Sequence, residues 1–366
     1  MKGKEWVERN LPFVLVGLII FALVVVIRSF RLPETERQIT IGCVLVGPKG
    51  DDMGWNGSHY DGLLHACEAH DCILKVKESV KEEEAEVYAA VGNLVDQGAN
   101  VVFLTSYGYG QFANDIAHKY PDVAVFSISG VGTARNFTTY FVRLYQMRYL
   151  AGVIAGATSR TGVLGYVATI PNPQLNRNLN AYAMGMHVAN PKARLLVCFT
   201  GSRDDETEER ESVARLQEAG ADVIAYQSGK PYAVQEAEQR GLFSIGFSNE
   251  EGKYSDHFLT ATLYDWDVVY EKVLGDYLSG RTHFSNGYWL GMEEDAVKLS
   301  GLSPLVSEKA RFLASMAKQH IVDHGIFSNV IYDNLGTLRC GEGERIGDYE
   351  LFTGMDWFVE GVEIYE

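Results

Sequence analysis

The sequence predicts an α/β fold made of two doubly wound parallel-sheet lobes joined by a hinge and preceded by one N-terminal transmembrane helix. Three observations lead to this prediction. Aliphatic runs alternate with helical patterns from residue 38 onward, the same alternation starts again near residue 162, and an uncharged apolar run stands near the N-terminus. Apolar strands that alternate with helices are typical of parallel sheets covered on both faces. With 366 residues, the chain is long enough for two such lobes.

A membrane anchor is predicted from the uncharged run that starts at Leu11. The run is at the short end of what spans a hydrocarbon core and exceeds a usual signal-peptide core. No small-residue cleavage pattern follows it, and Cys43 lies too far beyond it, in a strand pattern, to carry a lipid. We predict a tail at residues 1–10, an uncleaved anchor at 11–30 and a linker at 31–37. Basic residues flank both ends of the run, so the positive-inside rule does not settle its orientation.

The first lobe is predicted to comprise residues 38–141 and about 263–288. Its strand patterns are "QITIGCVLV", "ILKVKESV", "NVVFLTS" and "VAVFSIS", and two of its helix patterns run through "GLLHACEAH" and "AEVYAAVGNLVDQG". A continuous apolar strand followed by a helix is the repeating unit of a parallel sheet. We therefore expect the four strands to pair side by side.

The second lobe is predicted to comprise residues 142–262 and about 289–366. Its strand patterns are "GVLGYVATI", "ARLLVCFTG", "ADVIAYQS" and "LFSIGFS", and its helix patterns include "NAYAMGMHVA", a long charged helix to Glu218, and "AVQEAEQRG". Ligands of open α/β sheets bind outside the carboxyl ends of the strands. Two facing units place those ends around one cleft, where we expect the ligand site.

Charge and cysteine content restrict the class of protein. The formal net charge of −16, without a block of Lys or Arg, disfavours binding to nucleic acid. The five cysteines are scattered and show no zinc or redox spacing, so we interpret them as small buried hydrophobic residues. A disulfide between Cys67 and Cys72 is the alternative in an oxidising compartment. No metal and no cofactor are predicted.

Polar and aromatic side chains follow the strands of both lobes, at the edge where the cleft is expected. In the first lobe they are Asp51, Asp52, Trp55, Asn56, Ser106, Tyr107 and Gly108, and in the second lobe they are Asn176, Asn178, Thr200 to Arg203, Ser228, Ser248 and Asn249. Amides, hydroxyls and aromatic rings dominate this set, whereas titratable groups are few. Such a set suits recognition of a small, flat, polar molecule.

Catalysis is not predicted. We find no pair of nucleophile and base, no metal cluster and no poised acid pair in the sequence. His65 and His70 are five residues apart on a predicted helix and do not share a face well. The glycine-containing stretches "GPKGDDMG" and "GYGQF" match neither a P-loop nor a dinucleotide-binding fingerprint. We therefore expect a binding protein and not an enzyme.

A series of separate motifs, spread in order over residues 38–366, resembles the basic membrane protein family. The motifs are "VGPKGDDMGWN", "TSYGYG", "YFVRLYQMRYLAG", "GADVIA", "LTATLYDW" and "MDWFVEGV". Members of this family are substrate-binding proteins of ABC importers, and its better-known members bind purine nucleosides or purine bases. The resemblance implies a hinged, two-lobed protein similar to type I periplasmic binding proteins. Such a protein closes on its ligand and presents it to ABC permease subunits.

The resemblance also implies roles for residues of the first lobe. By matching position, Asp52 and Asn56 would hydrogen-bond the edge of a purine, with Trp55 beside them. Tyr107 would stack on the ring. Stacking of a base on an aromatic side chain contributes roughly 1–3 kcal/mol. A buried carboxylate that accepts hydrogen bonds from ring nitrogens also discriminates against analogues that leave it unpaired.

In the second lobe and the hinge, the matching positions are Gln146, Asn178, Asn180 and Trp266. Gln146 lies near the hinge, while Asn178 and Asn180 match a polar segment where a turn enters a helix. Trp266 follows a strand that crosses the hinge, where it either contacts the ligand or packs in the core.

Three positions of the second lobe depart from the family pattern. Ser248 stands where nucleoside-binding relatives carry an aspartate that grips ribose, Arg203 replaces an aromatic residue and Gly229 replaces an aspartate. These differences favour a purine base or related heterocycle over a nucleoside. Arg203 alternatively meets an anionic ligand, and reduced or lost purine binding is a further alternative.

The anchor is another departure, since most relatives are lipoproteins or secreted. We expect a single-pass protein of the cell membrane whose binding domain lies on the extracytoplasmic side. Tethering raises the effective concentration of a binding domain at its permease. The competing interpretation is a degenerate family member that acts as a ligand sensor or regulator without transport.

Overall fold

The computed structural model describes residue 16 and residues 19–21, 38–50, 54–250 and 253–366. The chain divides into one unit from Met1 to Ile39 and a second from Thr40 to Glu366. The predicted anchor at 11–30 lies outside the described residues, apart from Val16 and residues 19–21, which are helical. Within the described part of the chain, no helix is both long and apolar enough to cross a bilayer.

The first sheet consists of parallel strands. They are β1 (Thr40–Val44), β2 (Ile73–Lys77), β3 (Val101–Leu104), β4 (Ala124–Ser127), β5 (Phe137–Val142) and β11 (Tyr288–Leu290). Their order across the sheet is β11-β5-β4-β3-β1-β2, and each neighbouring pair runs parallel. The central strands β1 and β3 are buried along their whole length, as expected of a sheet covered on both faces.

The second sheet repeats this arrangement. Its strands are β6 (Val163–Ala168), β7 (Arg194–Phe199), β8 (Val223–Gln227), β9 (Phe243–Ser248), β10 (Phe258–Tyr264), β12 (Val297–Leu299) and β15 (Val362–Ile364). They lie in the order β12-β10-β9-β8-β6-β7-β15. The edge strand β12 runs antiparallel to β10, and the other pairs are parallel. A small hairpin, β13 (Ile331–Tyr332) and β14 (Leu338–Cys340), lies outside both sheets.

Helices connect the strands and cover the sheets. They are α1 (Trp55–Ala69), α2 (Glu84–Asp96), α3 (Gly110–Lys119), α4 (Tyr145–Thr158), α5 (Pro173–Ala189), α6 (Glu206–Glu218), α7 (Tyr232–Gln239), α8 (Trp266–Leu278), α9 (Glu308–His324) and α10 (Asp348–Thr353). We call the first sheet with α1, α2, α3 and α8 the first lobe. The second sheet with the remaining helices is the second lobe.

Each lobe has its own apolar core. In the first lobe, Leu94 of α2 and Ile116 of α3 pack with the buried strands β1 and β3. In the second lobe, Leu216 of α6 and Val234 of α7 pack against Ile224 of β8. Burial of such side chains contributes roughly 1.5–3 kcal/mol each relative to exposure.

Helices α4 and α5 approach each other closely, because glycines lie where they cross. A Cβ atom at Gly185 would lie 1.9 Å from the carbonyl oxygen of Tyr149, and one at Gly152 would lie 2.1 Å from that of Tyr182. These distances are far below van der Waals contact, so glycine is required at both positions. The close packing therefore joins the C-terminal half of α5 to α4.

The chain passes between the lobes three times. It crosses after β5 at residues 142–145, after β10 at 264–266 and after β11 at 290–297. Two of the crossings are bonded together, since Gln146 Oε1, just after the first crossing, accepts a hydrogen bond of 2.9 Å from the Met292 amide of the third. The guanidinium of Arg143 lies 4.3 Å from the Trp289 ring centroid.

The predicted pair of parallel sheets is confirmed. The predicted lobe boundaries, 38–141 with about 263–288 and 142–262 with about 289–366, stay a prediction. The structure places β10, which ends at Tyr264, in the second sheet and β11 (Tyr288–Leu290) in the first.

Candidate functional site

A cavity of about 240 Å³ lies where strand ends of both sheets meet. Its lining from the first lobe includes Trp55, Asn56, Ser106 and Tyr107, and its lining from the second lobe and the crossings includes Thr169, Asn172, Gln174, Leu175, Arg203, Gln227, Ser228, Gly229, Phe247 and Tyr264. Larger depressions occur elsewhere, such as one of about 500 Å³ around Gly132 and Phe284. That depression lies within the first lobe, whereas the smaller cavity joins both lobes at the edge that binds ligands in open α/β sheets.

Trp55 forms one wall of the cavity and belongs to an aromatic cluster beneath it. Its Nε1 donates a 2.8 Å hydrogen bond to the Thr105 carbonyl, which fixes the indole after β3. Tyr264 packs edge-to-face against Trp55, with ring centroids 5.7 Å apart. Trp266 stacks on Tyr264 at 5.3 Å and is 3% exposed. Trp266 therefore supports the cavity from the core and does not line it.

Asn56 lines the cavity and holds the loop that follows β1. Its Oδ1 accepts a 2.9 Å hydrogen bond from the Gly47 amide. A Cβ atom at Gly47 would lie 2.5 Å from Asn56 Nδ2, so glycine is needed for this approach. Asp52, predicted beside Asn56, lies outside the described residues.

Ser106, Tyr107 and Gly108 form the loop after β3, and Glu82 holds this loop in place. The Glu82 carboxylate accepts hydrogen bonds from Ser106 Oγ and from the Gly108 amide at 2.9 Å. Ser106 and Tyr107 line the cavity. Gly108 does not, because its backbone faces Glu82, and a Cβ atom there would lie 2.4 Å from Glu82 Cδ.

Glu82 also bridges the cleft. Arg203 Nη1 of the second lobe lies 3.3 Å from Glu82 Oε2 of the first. Burial raises the pKa of Glu82, but the hydrogen bond from Ser106 and the nearby charge of Arg203 outweigh that effect and hold its pKa below the ordinary value. Sequence reasoning missed Glu82 because it belongs to the run "KEEEAE", which is typical of a solvated helix face.

Gln227, at the end of β8, is a hydrogen-bonded polar group of the second lobe at the cavity. Its Oε1 accepts hydrogen bonds of 3.2 Å from Asn178 Nδ2 and from the Tyr166 hydroxyl. Asn178 is 2% exposed and lies behind Gln227, so it orients a lining residue and does not line the cavity itself. The strand-end pattern that selected Ser228 would have found Gln227 one residue earlier.

Helix α5 delivers three further lining residues. Asn172 is its N-cap and accepts a 3.0 Å hydrogen bond from the Leu175 amide, and Pro173 occupies the first turn. Both features favour the start of a helix. Asn172, Gln174 and Leu175 therefore reach the cavity from one turn of backbone.

Three other predicted residues are placed away from the cavity. Asn180 donates to the Trp357 carbonyl at 2.9 Å and accepts from the Val359 amide at 3.0 Å, so its amide binds the C-terminal segment. Gln146 holds the crossings together, as described above. Ser248 has a φ of 68° at the end of β9 and lines a separate depression beside Trp266.

Glu209 is a buried carboxyl group beneath the cavity. It is 0% exposed, and its Oε2 accepts a 3.3 Å hydrogen bond from the Ala233 amide. Burial raises its pKa to about 7, although a hydrogen bond with Ser228 acts in the opposite direction. Since Ser228 lines the cavity, the protonation state of Glu209 is linked to the cavity wall.

Comparison with known proteins identifies relatives. Residues 39–329 match the family described as ABC transporter substrate-binding protein, PnrA-like. A purine-binding protein of Brucella abortus is 29% identical over 336 residues, which cover 90% of this chain and 94% of that protein. A protein of Haloferax volcanii named as an ABC transporter glucose-binding protein is 29% identical over 334 residues, 90% of this chain and 82% of its own length.

Solved structures show the same fold. A transcriptional activator of the comK gene from Bacillus halodurans has a TM-score of 0.69 at 23% identity, with 78% of this chain and 98% of that chain covered. A solute-binding protein of an ABC transporter system from Aeropyrum pernix and a myo-inositol binding protein from Caulobacter share the fold, with TM-scores of 0.66 and 0.58. The predicted fold of the periplasmic-binding-protein type is thereby confirmed.

Proposed function

Since this chain belongs to the PnrA-like family of ABC transporter substrate-binding proteins, we propose that it binds a purine base or a related heterocycle in the cavity between its lobes. Proteins of this family and the solute-binding proteins with the same fold are binding proteins, not enzymes. The observation that carries the proposal is a cavity walled by aromatic rings and rimmed by amides and hydroxyls from both lobes.

The rings suit a planar ligand. Trp55 and Tyr107 approach the cavity from the first lobe, and Phe247 and Tyr264 approach it from the second lobe and the crossing. A purine offers a flat π-surface, and stacking on such rings contributes roughly 1–3 kcal/mol per base. We expect Tyr107 to be the stacking partner because it is 38% exposed at the cavity mouth.

The polar groups suit the edge of a base. Two donors occupy Gln227 Oε1, so its amide nitrogen is the group that remains to meet a ring nitrogen or carbonyl oxygen. Asn56 and Ser106 lie on the opposite wall. Asp52, the proposed acceptor for a ring N–H, lies outside the described residues.

The size of the cavity supports a base over a nucleoside. Its volume of about 240 Å³ lies below the roughly 300–1,000 Å³ of sites for drug-sized ligands. Ser248, which stands where relatives grip ribose, lines a different depression. A sugar would therefore lack its expected partner.

We further propose that residues 11–30 anchor the protein in the cell membrane, with the binding domain on the extracytoplasmic side. ABC permease subunits would be its partners. Their encounter would benefit from the raised effective concentration that tethering gives. The uncharged run from Leu11 to Ile27 supports this proposal.

A thermal-shift screen of the full-length chain in mild detergent tests the proposed ligand class. A ligand that binds only the folded form must stabilise it, so adenine, guanine, hypoxanthine or xanthine should raise the melting temperature. Glucose serves as a matched small polar ligand because one relative carries that name. A shift with glucose and none with purines would contradict the proposal.

A ligand sensor or regulator is the second candidate function. The similarity to a transcriptional activator supports it, because that protein has the same fold at a TM-score of 0.69. Absence of any shift with purine bases or nucleosides at millimolar concentration would favour this candidate. Purine binding together with pull-down of permease subunits from native membranes would favour transport.

A further inference from the structure

Helix α1 ends in a turn that brings Cys67 and Cys72 together. The helix stops at Ala69, and Asp71 follows with a left-handed backbone, at a φ of 52°. The Cys72 amide donates a 2.8 Å hydrogen bond to the Cys67 carbonyl, and the Asp71 amide donates one of 3.5 Å to the Glu68 carbonyl. These two bonds define a Schellman motif, a common way to end a helix. The backbone therefore fixes the distance between the two cysteines.

The motif gives the two cysteines the separation that a disulfide requires. With standard bond lengths, one backbone hydrogen bond of this length holds the two Cα atoms within about 6 Å of each other. Disulfides usually join Cα atoms that are about 4.4–6.8 Å apart. The side chains at these two positions of a Schellman motif frequently contact each other. Here both side chains carry a thiol.

The two thiols are also close enough for one to affect the ionisation of the other. Burial raises the pKa of Cys67 to about 12, and the charge of Cys72 adds to this effect. Cys67 is 1% exposed, whereas Cys72 is half-buried. The Cys67 thiol is therefore rarely ionised in the folded protein, and it is the thiolate that attacks a disulfide. We expect the bond to form during folding, before Cys67 is buried.

The other cysteines of the chain have no such arrangement. Cys198 lies on β7 of the second sheet, and Cys340 lies on the hairpin strand β14. Burial raises the pKa of Cys43 on β1, and the charge of Cys67 adds to this effect, so these two thiols are near each other. No backbone hydrogen bond links Cys43 to Cys67 in the described chain. Cys43 is therefore the competing partner that an experiment must distinguish.

We infer that Cys67 and Cys72, which the structure shows as free thiols, are oxidised to a disulfide that ties the end of α1 to the start of β2. Substrate-binding proteins of ABC transporters act outside the cytoplasm, where disulfides form and persist. The sequence leaves this pairing open as an alternative, and the Schellman motif supports it. The inference does not depend on which ligand the cavity binds.

The oxidant is itself a disulfide, such as oxidised glutathione or a dithiol–disulfide oxidoreductase. The Cys72 thiolate attacks one sulfur of the oxidant, and the other sulfur leaves as a thiolate that takes up a proton. The Cys67 thiolate then attacks the Cys72 sulfur, and the remaining half of the oxidant leaves in the same way. Overall, the two cysteines lose two electrons and two protons, and the oxidant gains both.

The bond would secure the helix that carries one wall of the cavity. Trp55 and Asn56 lie in the first turn of α1 and line the cavity. The closed ring spans only the six residues from Cys67 to Cys72, and short loops gain less stability from a crosslink than long loops do. We therefore expect reduction to lower the melting temperature by only a few degrees.

Peptide mapping tests the inference on the full-length protein, purified from membranes in mild detergent without reductant. The protein is unfolded in urea with N-ethylmaleimide and then digested with trypsin. Cys67 and Cys72 fall in one tryptic peptide, residues 50–75, whereas Cys43 falls in residues 38–49. We expect the peptide 50–75 to carry no label and to be two hydrogen atoms lighter than the same peptide with free thiols. Cys340 is the internal control and should be labelled.

The possible results of the mapping separate the two pairings. Two labels on the peptide 50–75 would overturn the inference, because both thiols would then be free. A link between residues 38–49 and 50–75 would also overturn it, because Cys43 would then be the partner. An unlabelled, lighter peptide that gains two labels after reduction would support the inference.

Melting temperatures measure the effect of the bond on the folded protein. Reductant should lower the melting temperature of the natural protein and of the matched control Cys340→Ser. It should leave that of Cys72→Ser unchanged, because this variant cannot form the bond. An equal decrease in Cys72→Ser would contradict the inference.

Discussion

Tyr107 illustrates how a single side chain serves the site. Its backbone carbonyl accepts a hydrogen bond from Ser129 Oγ, which ties the loop after β3 to the loop after β4. Its ring remains 38% exposed at the mouth of the cavity. The residue therefore combines a fixed backbone with a ring that is accessible to a ligand.

Replacing Tyr107 by alanine should weaken purine binding and leave the fold intact. Loss of one stacking partner costs roughly 1–3 kcal/mol, about a tenfold to hundredfold loss of affinity. The melting temperature should change little, because the ring is partly exposed. Titration calorimetry gives the affinity, and Tyr254→Ala, at a tyrosine 67% exposed, is the matched control. Unchanged affinity in Tyr107→Ala would show that the ring does not stack on the ligand.

Glu209 makes a prediction about pH. Its pKa in the folded state is about 7 against an ordinary value of 4.5, so the folded protein holds this proton more tightly than the unfolded chain. The free energy of unfolding should therefore decrease as pH rises between these two values and stay at the lower level above them. The negative charges of nearby Asp204 and Asp205 also raise the pKa of Glu209.

The variant Glu209→Gln should remove this pH dependence. Relative to the natural protein, its free energy of unfolding should increase between about pH 5 and pH 8, by up to about 3 kcal/mol. Urea denaturation of both proteins at both pH values measures the difference between their free energies of unfolding. The contributions of the other carboxyl groups are the same in both proteins and cancel in this difference. An equal pH dependence in both proteins would show that Glu209 ionises normally.

At the scale of elements, the start of α5 determines the second-lobe half of the site. Asn172 caps the helix, and the first turn carries Gln174 and Leu175 to the cavity. Farther along, the C-terminal half of α5 packs closely on α4, where Gly152 faces Tyr182 and Gly185 faces Tyr149. This packing holds the helix that carries the ligand-facing residues.

The variant Gly185→Ala should destabilise the protein strongly. The new Cβ atom would lie 1.9 Å from the Tyr149 carbonyl oxygen, so α4 and α5 must separate. Overpacking of this kind typically costs 1–3 kcal/mol, and about the upper end is expected here because backbone must move. Urea denaturation measures the loss. Gly347→Ala is the control, because nothing lies within 4 Å of a Cβ atom there, and an equal loss in both variants would contradict the argument.

Element by element, the sequence predicted the sheets better than the site. Apolar runs such as "NVVFLTS" form strands that are buried on both faces of the sheet, so the local sequence pattern alone was enough to predict them. Trp55 and Asn56, which were predicted because they follow directly after a strand loop, line the cavity. Asn180 lies away from the cavity, where its amide binds the Trp357 carbonyl of the C-terminal segment, which is distant in sequence. Gln227 and Glu82 were not predicted, because only the folded chain brings them together with their hydrogen-bond and ion-pair partners.

At the scale of the whole molecule, the described part of the chain joins its lobes by three crossings and by an ion pair across the cleft. Gln146 and Met292 bond two of the crossings together. Glu82 and Arg203 connect the lobes on the other side of the cavity. This arrangement is that of a hinge with a latch opposite to it.

Removing the latch with Arg203→Gln should speed ligand release. Arg203 is 59% exposed in its side chain, and such pairs contribute roughly 0.2–1 kcal/mol, so the dissociation rate should rise by a few-fold at most. High salt should reduce the difference, because it screens exposed charges. Stopped-flow fluorescence at low and high salt measures the rates. Arg194→Gln is the control, because Arg194 is exposed and pairs with Glu363 within the second lobe. A matching acceleration in that variant would contradict a latch.

Tyr264 ends β10 immediately before the second crossing and also faces the cavity. A ring at a pivot moves little when the two lobes separate. It therefore presents the same face to the ligand in the open and the closed form. Binding of the ligand to the open form and closure of the lobes around it are then two separate steps. Progress curves of ligand binding should show a first phase whose rate increases with ligand concentration. A second phase should follow, and its rate should be independent of ligand concentration.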